Sequence, residues 1–374
     1  MKFHISSSDL LSVLSTAAKV INPKCTVPIL DHFLFDVNEQ TLKITASDLE
    51  TTMKFDVPIH DVDGTGRFVI PSKITLDVLK ECPNMPLEFN VNEETWEVLI
   101  RWATGHSSIP GQSAVSYPEQ IPLNEEHTEV TLDVDTLIDG INKTIFATSD
   151  EELRPIMRGI YFDLKDTELV CVATDAHKLV KYTSKMEEPQ NASFILSKKP
   201  AALLKNMLLH EEGQIKMAFD QKNALFTTET STLVCRLIEG MYPNYNMVIP
   251  QSNPNRVLVD RQMLLNSVRR MAVCVNVSTQ LVRLEFADNS INIMADDDDF
   301  QLSAKETVSC SYEGVPVIMG FKANLLVEIL VNLDTPTISI DLADSARPGV
   351  FKPVSEDEAQ QNVLMLLMPM MLNN

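Results

Sequence analysis

Two stretches of the sequence have residue types and spacing that could do chemistry. In VATDAHKLV, residues 172–180, Asp175 and His177 lie two positions apart after an apolar run. A carboxylate and an imidazole at this spacing could hold a metal ion or act as a general base. The second stretch, Asp296 to Asp299, has four adjacent carboxylates, the ligand type that hard divalent cations prefer. A metal-dependent hydrolase that uses these groups is therefore one function to weigh.

The elements that must position these residues occur three times along the chain. VTLDVDTLIDGI (130–141) has a counterpart in VLVDRQMLLNSV (257–268), and the apolar pair at 10–11 recurs at 137–138 and 264–265. Each copy continues with two alternating strands joined by a polar turn, at 33–53, 159–180 and 282–303. A strand that runs into a helix follows at 68–80, 194–208 and 317–330.

This repetition predicts an α+β fold of three tandem domains, at residues 1–125, 126–252 and 253–374. Each domain should have two helices backed by antiparallel sheet. Side-chain oxygens that can cap a free helix N-terminus precede or open the predicted helices, at Ser6, Asp133 and Asp260 and also at Ser72 and Ser197. Pro200 suits an early helical position.

The repeat also changes the interpretation of the first stretch. Asp175 is the second copy of a strand end whose siblings contain Asp48 and Asp296, whereas His177 has no matching histidine. We therefore predict that Asp175 forms a turn by accepting hydrogen bonds from nearby backbone. The run from Asp296 fits a solvated turn or a charged strand edge better than a metal site.

Composition narrows the class of protein. The chain has 374 residues and a formal net charge of −21, which argues against binding nucleic acid by bulk attraction. No apolar run reaches the roughly 18 residues of a membrane span, and MKFHISSSDLL lacks the apolar core of a signal peptide. The six cysteines form no C-x-x-C pair, and no glycine-rich phosphate loop occurs. We expect a cytoplasmic protein with reduced thiols, no membrane association and no cofactor.

Basic residues are concentrated on the predicted helices despite the acidic whole. Exposed lysines are common on helices, but equivalent helices in equivalent domains would face the same way, so their charges would add. Two such chains could close a ring with helices inside and sheets outside, which would hold duplex DNA by loose, salt-sensitive phosphate contacts. The helical cations are Lys19, Lys73, Lys80, Lys143, Lys198, Lys199, Lys205, Arg269, Arg270 and Lys322.

Four motifs carry a resemblance to a known family. CTVPIL (25–30), ATDAHKL (173–179), YPNY (242–245) and LMPM (367–370), together with the threefold repeat, resemble the bacterial DNA polymerase sliding clamps. These proteins are the beta subunits, or processivity factors, of the replicative polymerase, and the resemblance covers essentially the whole chain. It implies a head-to-tail homodimeric ring of six domains around DNA, opened and closed by an ATP-driven clamp loader, without catalytic activity of its own.

The resemblance also implies a pocket where the replicative polymerase, other polymerases and repair proteins dock a short peptide. Matched positions give its residues as Thr174, His177, Lys178, Leu179, Pro243, Met247, Val248, Leu366, Leu367, Met368, Pro369 and Met370. Lys178 and Met247 stand where arginine is familiar, so this pocket should be less basic and prefer more apolar peptides. Matched positions add Lys24 and Arg154 as DNA contacts, and Ser107 and Ile109 against Cys274 and Val275 as the ring seam.

Two other functions stay open on the sequence alone. One is a threefold-repeat adaptor that binds proteins but never encircles DNA. The other is the hydrolase that uses Asp175 and His177. Substituting His177 separates the clamp from the hydrolase, because the clamp predicts lost peptide binding with an intact ring whereas the hydrolase predicts lost turnover.

Overall fold

The computed structural model describes residues 1–22, 25–119, 122–209, 211–355 and 362–372. These residues form six α-helices, as the sequence predicted: α1 Ser7–Ala17, α2 Ser72–Lys80, α3 Val134–Thr144, α4 Lys198–Leu208, α5 Arg261–Met271 and α6 Ala323–Val331. The Ser6 hydroxyl accepts from the Asp9 N–H before α1, and Asp260 Oδ1 accepts from the Met263 N–H at 2.7 Å before α5. The predicted cap at Ser72 is wrong, because Ser72 is already helical and its hydroxyl donates to the Asp31 carbonyl at 2.6 Å.

The strands of the described residues are all paired antiparallel within four sheets. In chain order they are β1 Lys2–Ser6, β2 His32–Val37, β3 Thr41–Ser47, β4 Thr51–Pro58, β5 His60–Asp63, β6 Gly66–Pro71, β7 Pro86–Val91, β8 Glu97–Trp102, β9 Gly105–Pro110, β10 Gln112–Ser113, β11 Thr128–Asp133, β12 Gly159–Thr174, β13 Lys178–Ser197, β14 Gln214–Phe219, β15 Asn223–Thr227, β16 Ser231–Arg236, β17 Asn255–Asp260, β18 Leu281–Ala287, β19 Ser290–Asp297, β20 Leu302–Ser309, β21 Ser311–Glu313, β22 Val317–Lys322, β23 Thr337–Leu342, β24 Gly349–Val354 and β25 Val363–Leu367.

Two compact units divide the chain. Unit 1 consists of Met1–Ile138 and Lys199–Leu237, and unit 2 consists of Asp139–Lys198 and Ile238–Asn374. Unit 1 holds a five-stranded sheet in the order β5-β1-β7-β8-β9 and a nine-stranded sheet in the order β10-β6-β2-β3-β4-β16-β15-β14-β11. Phe3 and Phe89 stack between neighbouring strands with ring centroids 5.0 Å apart, and Leu10 and Leu14 of α1 are fully buried.

Unit 2 holds a seven-stranded sheet in the order β12-β13-β25-β24-β23-β17-β21 and a four-stranded sheet in the order β20-β19-β18-β22. The sequence predicted two strands and a polar turn within 159–180, but β12 runs unbroken from Gly159 to Thr174. The long partner β13 pairs with β12 on both sides of the polar residues. The register shifts between Asp166 and Glu168, where the pairing skips Thr167 on β12 and residues 186–189 on β13. The β12–β13 hairpin and β25 together form the frame of the site described next.

Candidate functional site

The turn between β12 and β13 is built around one carboxylate. Asp175 Oδ1 accepts from the backbone N–H groups of His177 at 2.9 Å and Lys178 at 2.8 Å. The Thr174 hydroxyl donates to the Lys178 carbonyl at 2.7 Å, and Ala176 takes a left-handed φ of 74°. The prediction that Asp175 forms a turn is confirmed, and its Oδ1 is committed to backbone.

The corresponding turns of the other two copies are also capped by an aspartate, but in the third copy this aspartate lies one residue later than predicted. Asp48 Oδ1 accepts from the backbone N–H groups of residues 50 and 51 at 3.1 and 2.7 Å. In the third copy the acceptor is Asp297, whose Oδ1 accepts from the N–H groups of residues 299 and 300 at 3.0 and 3.4 Å. The predicted equivalence of Asp296 is therefore wrong, because β19 continues through Asp297 and the turn begins one residue later.

An apolar cavity of about 220 Å³ lies beside the Asp175 turn, within unit 2. The ends of β12, β13 and β25 provide part of its wall, and the segment from Tyr242 to Val248 provides most of the rest. It is lined by Met157, Thr174, Ala176, His177, Lys178, Leu179, Tyr242, Pro243, Asn244, Tyr245, Val248, Leu366 and Met368. We call this space the apolar cavity.

Eight of the twelve predicted pocket residues line the apolar cavity, and four do not. Met247 is 82% exposed, whereas Leu367 is fully buried. Leu366 and Leu367 differ because successive residues of β25 face opposite sides of the sheet. Pro369 and Met370 lie beyond β25, where the Met370 N–H donates to the Gly320 carbonyl at 2.8 Å.

The sequence missed five lining residues: Met157, Ala176, Tyr242, Asn244 and Tyr245. Three of them belong to the quoted YPNY motif, from which only Pro243 was assigned to the pocket, and Ala176 lies within the quoted ATDAHKL. Met157 belongs to a short 3₁₀ turn, Pro155–Arg158, and no periodic pattern points to it. The YPNY and ATDAHKL motifs were therefore sufficient to find four of the five.

Aromatic packing fixes the wall behind the cavity. Tyr161 and Tyr242 stack with ring centroids 4.8 Å apart and planes 4° from parallel. The Tyr245 hydroxyl donates to Asp163 Oδ2 at 2.9 Å, and Lys165 lies 2.8 Å from the same carboxylate oxygen. Burial raises the pKa of Tyr245, so the phenol remains a proton donor at neutral pH. The wall is therefore held by ring packing and a charge-assisted hydrogen bond.

A second, polar cavity of about 590 Å³ shares His177 and Lys178 with the apolar one. Lys178 is only 5% exposed, and its Nζ lies 2.6 Å from Asp175 Oδ2 and 3.0 Å from Glu328 Oε2. Burial lowers the pKa of Lys178, but these two bonds outweigh it and raise the pKa above its ordinary value. Among the described residues, the polar cavity is lined by Phe146, Thr148, Ser149, Asp150, Glu151, Asp175, His177, Lys178, Lys198 and Glu328.

Many of the predicted DNA-contacting cations have acidic partners within their own unit. Lys80 pairs with Asp77, Arg154 with Glu151, Lys198 with Asp150, Lys199 with Asp48 and Arg270 with Glu306. The carboxylates at 150 and 306 have lowered pKa values because of hydrogen bonds from the lysine and arginine beside them. Within the part of the chain that is described, Lys73, Lys205, Arg269 and Lys322 have no ion pair. Lys24 lies outside the described residues.

The predicted seam residues lie in two places. Ser107 and Ile109 belong to β9, an edge strand of the five-stranded sheet, but the Ile109 side chain is only 1% exposed and lies in the core. Cys274 and Val275 follow α5 and are partly exposed. Their neighbours Val273 and Val277 are each 78% exposed and present more apolar surface than Cys274 and Val275.

The described residues contain no group of three or more His, Cys, Asp or Glu side chains placed to hold a metal ion. Asp175 uses both carboxylate oxygens in the contacts given above. No helix among the residues described is long and apolar enough to cross a membrane.

Comparison with known proteins gives the same family match three times in succession. The chain matches models of the DNA polymerase III beta subunit: its N-terminal domain over residues 1–122, its central domain over 131–244 and its C-terminal domain over 246–370. Among curated relatives, beta sliding clamps of Staphylococcus aureus and Staphylococcus epidermidis are each 24% identical, over 97% of this chain and 98% of theirs.

Solved structures of the same family match this chain over 99–100% of its length. A sliding clamp from Pseudomonas aeruginosa bound to griselimycin has a TM-score of 0.93 at 25% identity, with 100% of both chains covered. The DNA polymerase III beta subunit of Thermotoga maritima has a TM-score of 0.91 at 25% identity, again over 100% of both chains. A beta subunit from Streptococcus pyogenes, at 20% identity, has a TM-score of 0.93 and shows the same fold.

Proposed function

The chain belongs to the DNA polymerase III beta subunit family, and on that premise we propose that it is a sliding clamp that encircles duplex DNA. The observation that carries this proposal is the succession of N-terminal, central and C-terminal family matches along one chain. As a processivity factor, it would keep the replicative polymerase on DNA between catalytic cycles. The α+β fold with three clamp domains agrees with this role, and we propose 1–125, 126–252 and 253–374 as the domain boundaries.

Two chains would complete the ring, head to tail. The edge strand β9 of one chain would meet the segment after α5 of the other. Because the Ile109 side chain is buried, we propose that Ile109 contributes only its backbone to the contact between the two chains. The apolar part of that contact would come from Val273 and Val277, together with Cys274 and Val275. The helices would line the interior and the sheets would form the outside.

DNA contact in such a ring would be loose and insensitive to sequence. The cations without ion pairs, Lys73, Lys205, Arg269 and Lys322, are the candidates for phosphate contact, because they need not give up an acidic partner. The paired cations would contribute less, since each already neutralises a carboxylate of its own chain. The net charge of −21 would repel DNA from the rest of the surface.

The apolar cavity would be the docking site for partner proteins. A short linear peptide with apolar side chains would fill it. The replicative polymerase, other polymerases, repair proteins and an ATP-driven clamp loader would compete for it. The methionines at positions 157 and 368 would let the cavity adapt to several sequences, since thioether side chains are flexible and polarizable.

The protein itself would have no catalytic activity and need no cofactor, because tethering requires only closure around DNA and peptide binding. We place it in the bacterial cytoplasm, where the chromosome is copied. The alternative of an adaptor that never encircles DNA makes a different prediction for the experiment that follows.

The test is polymerase-dependent synthesis on primed circular DNA in the presence of a clamp loader. Alanine at all four positions of the set Lys73, Lys205, Arg269 and Lys322 should shorten the products and make retention on DNA more salt-sensitive. A matched set of four paired cations, Lys80, Arg154, Lys199 and Arg270, should have a smaller effect. If the first variant gave products of unchanged length, the four proposed DNA contacts would be wrong. If the wild-type protein did not stimulate DNA synthesis, the result would favour the adaptor.

A further inference from the structure

We propose that the peptide this site takes carries a basic residue next to its apolar residues, and that Glu328 selects for it. The inference rests on the proposed peptide-binding function and specifies the class of peptide. It starts from the two cavities that share His177 and Lys178. A ligand that fills the apolar cavity therefore contacts His177 and Lys178, which also border the polar cavity.

The apolar cavity accounts for the anchoring part of the peptide. Its walls include Leu179, Val248 and Leu366, which suit aliphatic or aromatic side chains. Tyr242 also lines it and is only 7% exposed, so its ring adds to the apolar wall.

Lys178 is the lysine that lines the apolar cavity among the described residues, but its ammonium is not available to the peptide. Its ammonium is bound by Asp175 and by Glu328, at 2.6 and 3.0 Å. The three groups together carry one excess negative charge. A carboxylate on the peptide would therefore meet net repulsion at this wall, where a free lysine or arginine would have attracted it.

The polar cavity extends this charge imbalance. Four carboxylates and two ammonium groups of the described residues line it, and the second ammonium, Lys198, is bound to Asp150 at 2.7 Å. These lining groups have an excess of two negative charges when His177 is neutral, and Arg154, which pairs with Glu151 from outside the lining, reduces the excess to the one charge of the Lys178 group. Glu328 is the carboxylate of the Lys178 group that solvent reaches most readily, with its side chain 44% exposed. A lysine or arginine side chain of the peptide would pair with Glu328 without displacing Lys178.

The experiment uses three fluorescein-labelled peptides of identical apolar sequence, with lysine, glutamine or glutamate at one flanking position, placed at each end in turn. Binding to the full-length protein is measured by fluorescence anisotropy at low ionic strength. For the end that reaches the polar cavity, we expect the lysine peptide to bind about tenfold more tightly than the glutamate peptide. Added salt should reduce that ratio.

The variant Glu328→Gln should bring the lysine-to-glutamate ratio to within about twofold. Glu306→Gln is the matched control, since Glu306 is also in unit 2 and ion-paired, with Arg270, but lines neither cavity. It should leave the ratio unchanged. Equal binding of the three wild-type peptides, or an unchanged ratio in Glu328→Gln, would overturn the inference and leave peptide docking intact. Failure of every peptide to bind would overturn the proposed docking site itself.

Discussion

The carboxylate of Asp175 makes the most informative single substitution. Alanine at this position removes the acceptor of two backbone N–H groups, at 2.9 and 2.8 Å, and one of the two partners of the Lys178 ammonium. Asparagine keeps an oxygen for the backbone but removes the charge. The pair of variants therefore separates turn formation from ion pairing.

The magnitude follows from burial. The Asp175 side chain is 16% exposed and that of Lys178 is 5% exposed, so solvent replaces the lost interactions only in part. Breaking a buried charge pair costs about 3–5 kcal/mol, but Glu328 remains as a partner for Lys178, so we expect Asp175→Ala to lose about 2–4 kcal/mol of unfolding free energy. Asp175→Asn should lose about 1–2 kcal/mol, because the two backbone hydrogen bonds survive in weaker form.

The assay is urea denaturation followed by far-ultraviolet circular dichroism, with amide hydrogen exchange at residues 177 and 178. Asp296→Ala is the control, since Asp296 is an exposed carboxylate of β19 just before the corresponding turn of the third copy. The hydrogen bonds that cap that turn go to Asp297 and not to Asp296. It should change stability by less than about 0.5 kcal/mol. A similarly small effect of Asp175→Ala, or asparagine as costly as alanine, would refute the reasoning.

Three further predictions concern other parts of the chain. Tyr245→Phe removes the buried hydrogen bond to Asp163 and should cost about 1.5–3 kcal/mol in urea denaturation, and an unchanged midpoint would contradict this. Burial raises the pKa of Asp220, but hydrogen bonds from three backbone N–H groups outweigh it and the pKa is lowered. The Asp220 carboxylate therefore stabilises the folded protein at pH values above its unfolded-state pKa of about 3.9, and this stabilisation is lost as the pH falls through the lower folded-state pKa. In Asp220→Asn, the urea midpoint should therefore decrease less steeply as the pH falls through this range. His177→Ala should weaken peptide binding about tenfold, as read by anisotropy, with the mass in solution unchanged, and an unaltered affinity would remove His177 from the docking site.

Repeated spacing explains how much of the fold was predictable. The apolar pairs and helix caps recur in three copies, so the six helices and the antiparallel hairpins follow from local pattern. The turn at Asp175 was predictable for the same reason, since its sibling at Asp48 has the same sequence context. The one-residue shift to Asp297 was not, because four successive aspartates satisfy the pattern equally well and only the end of β19 decides between them.

The site was predictable where residues share a motif or a strand face. ATDAHKL and the C-terminal run gave six of the thirteen lining residues. Leu367 was wrongly assigned with Leu366, because the pleat of β25 places the two side chains on opposite faces. Met157 could not be found, because tertiary packing rather than local pattern brings its 3₁₀ turn to the cavity. The ion pairs of Lys198 and Lys199 were likewise invisible, since their acidic partners are distant in sequence.

The central claim is that the protein holds DNA by encircling it. The most direct measurement loads fluorescent protein onto nicked circular DNA with a clamp loader and ATP, isolates the complex, and then linearises half of the sample with a single-cut nuclease. A protein that encircles DNA should remain on the circle and slide off the linear DNA. Equal retention on both forms would show attachment by surface contact alone and would contradict encirclement.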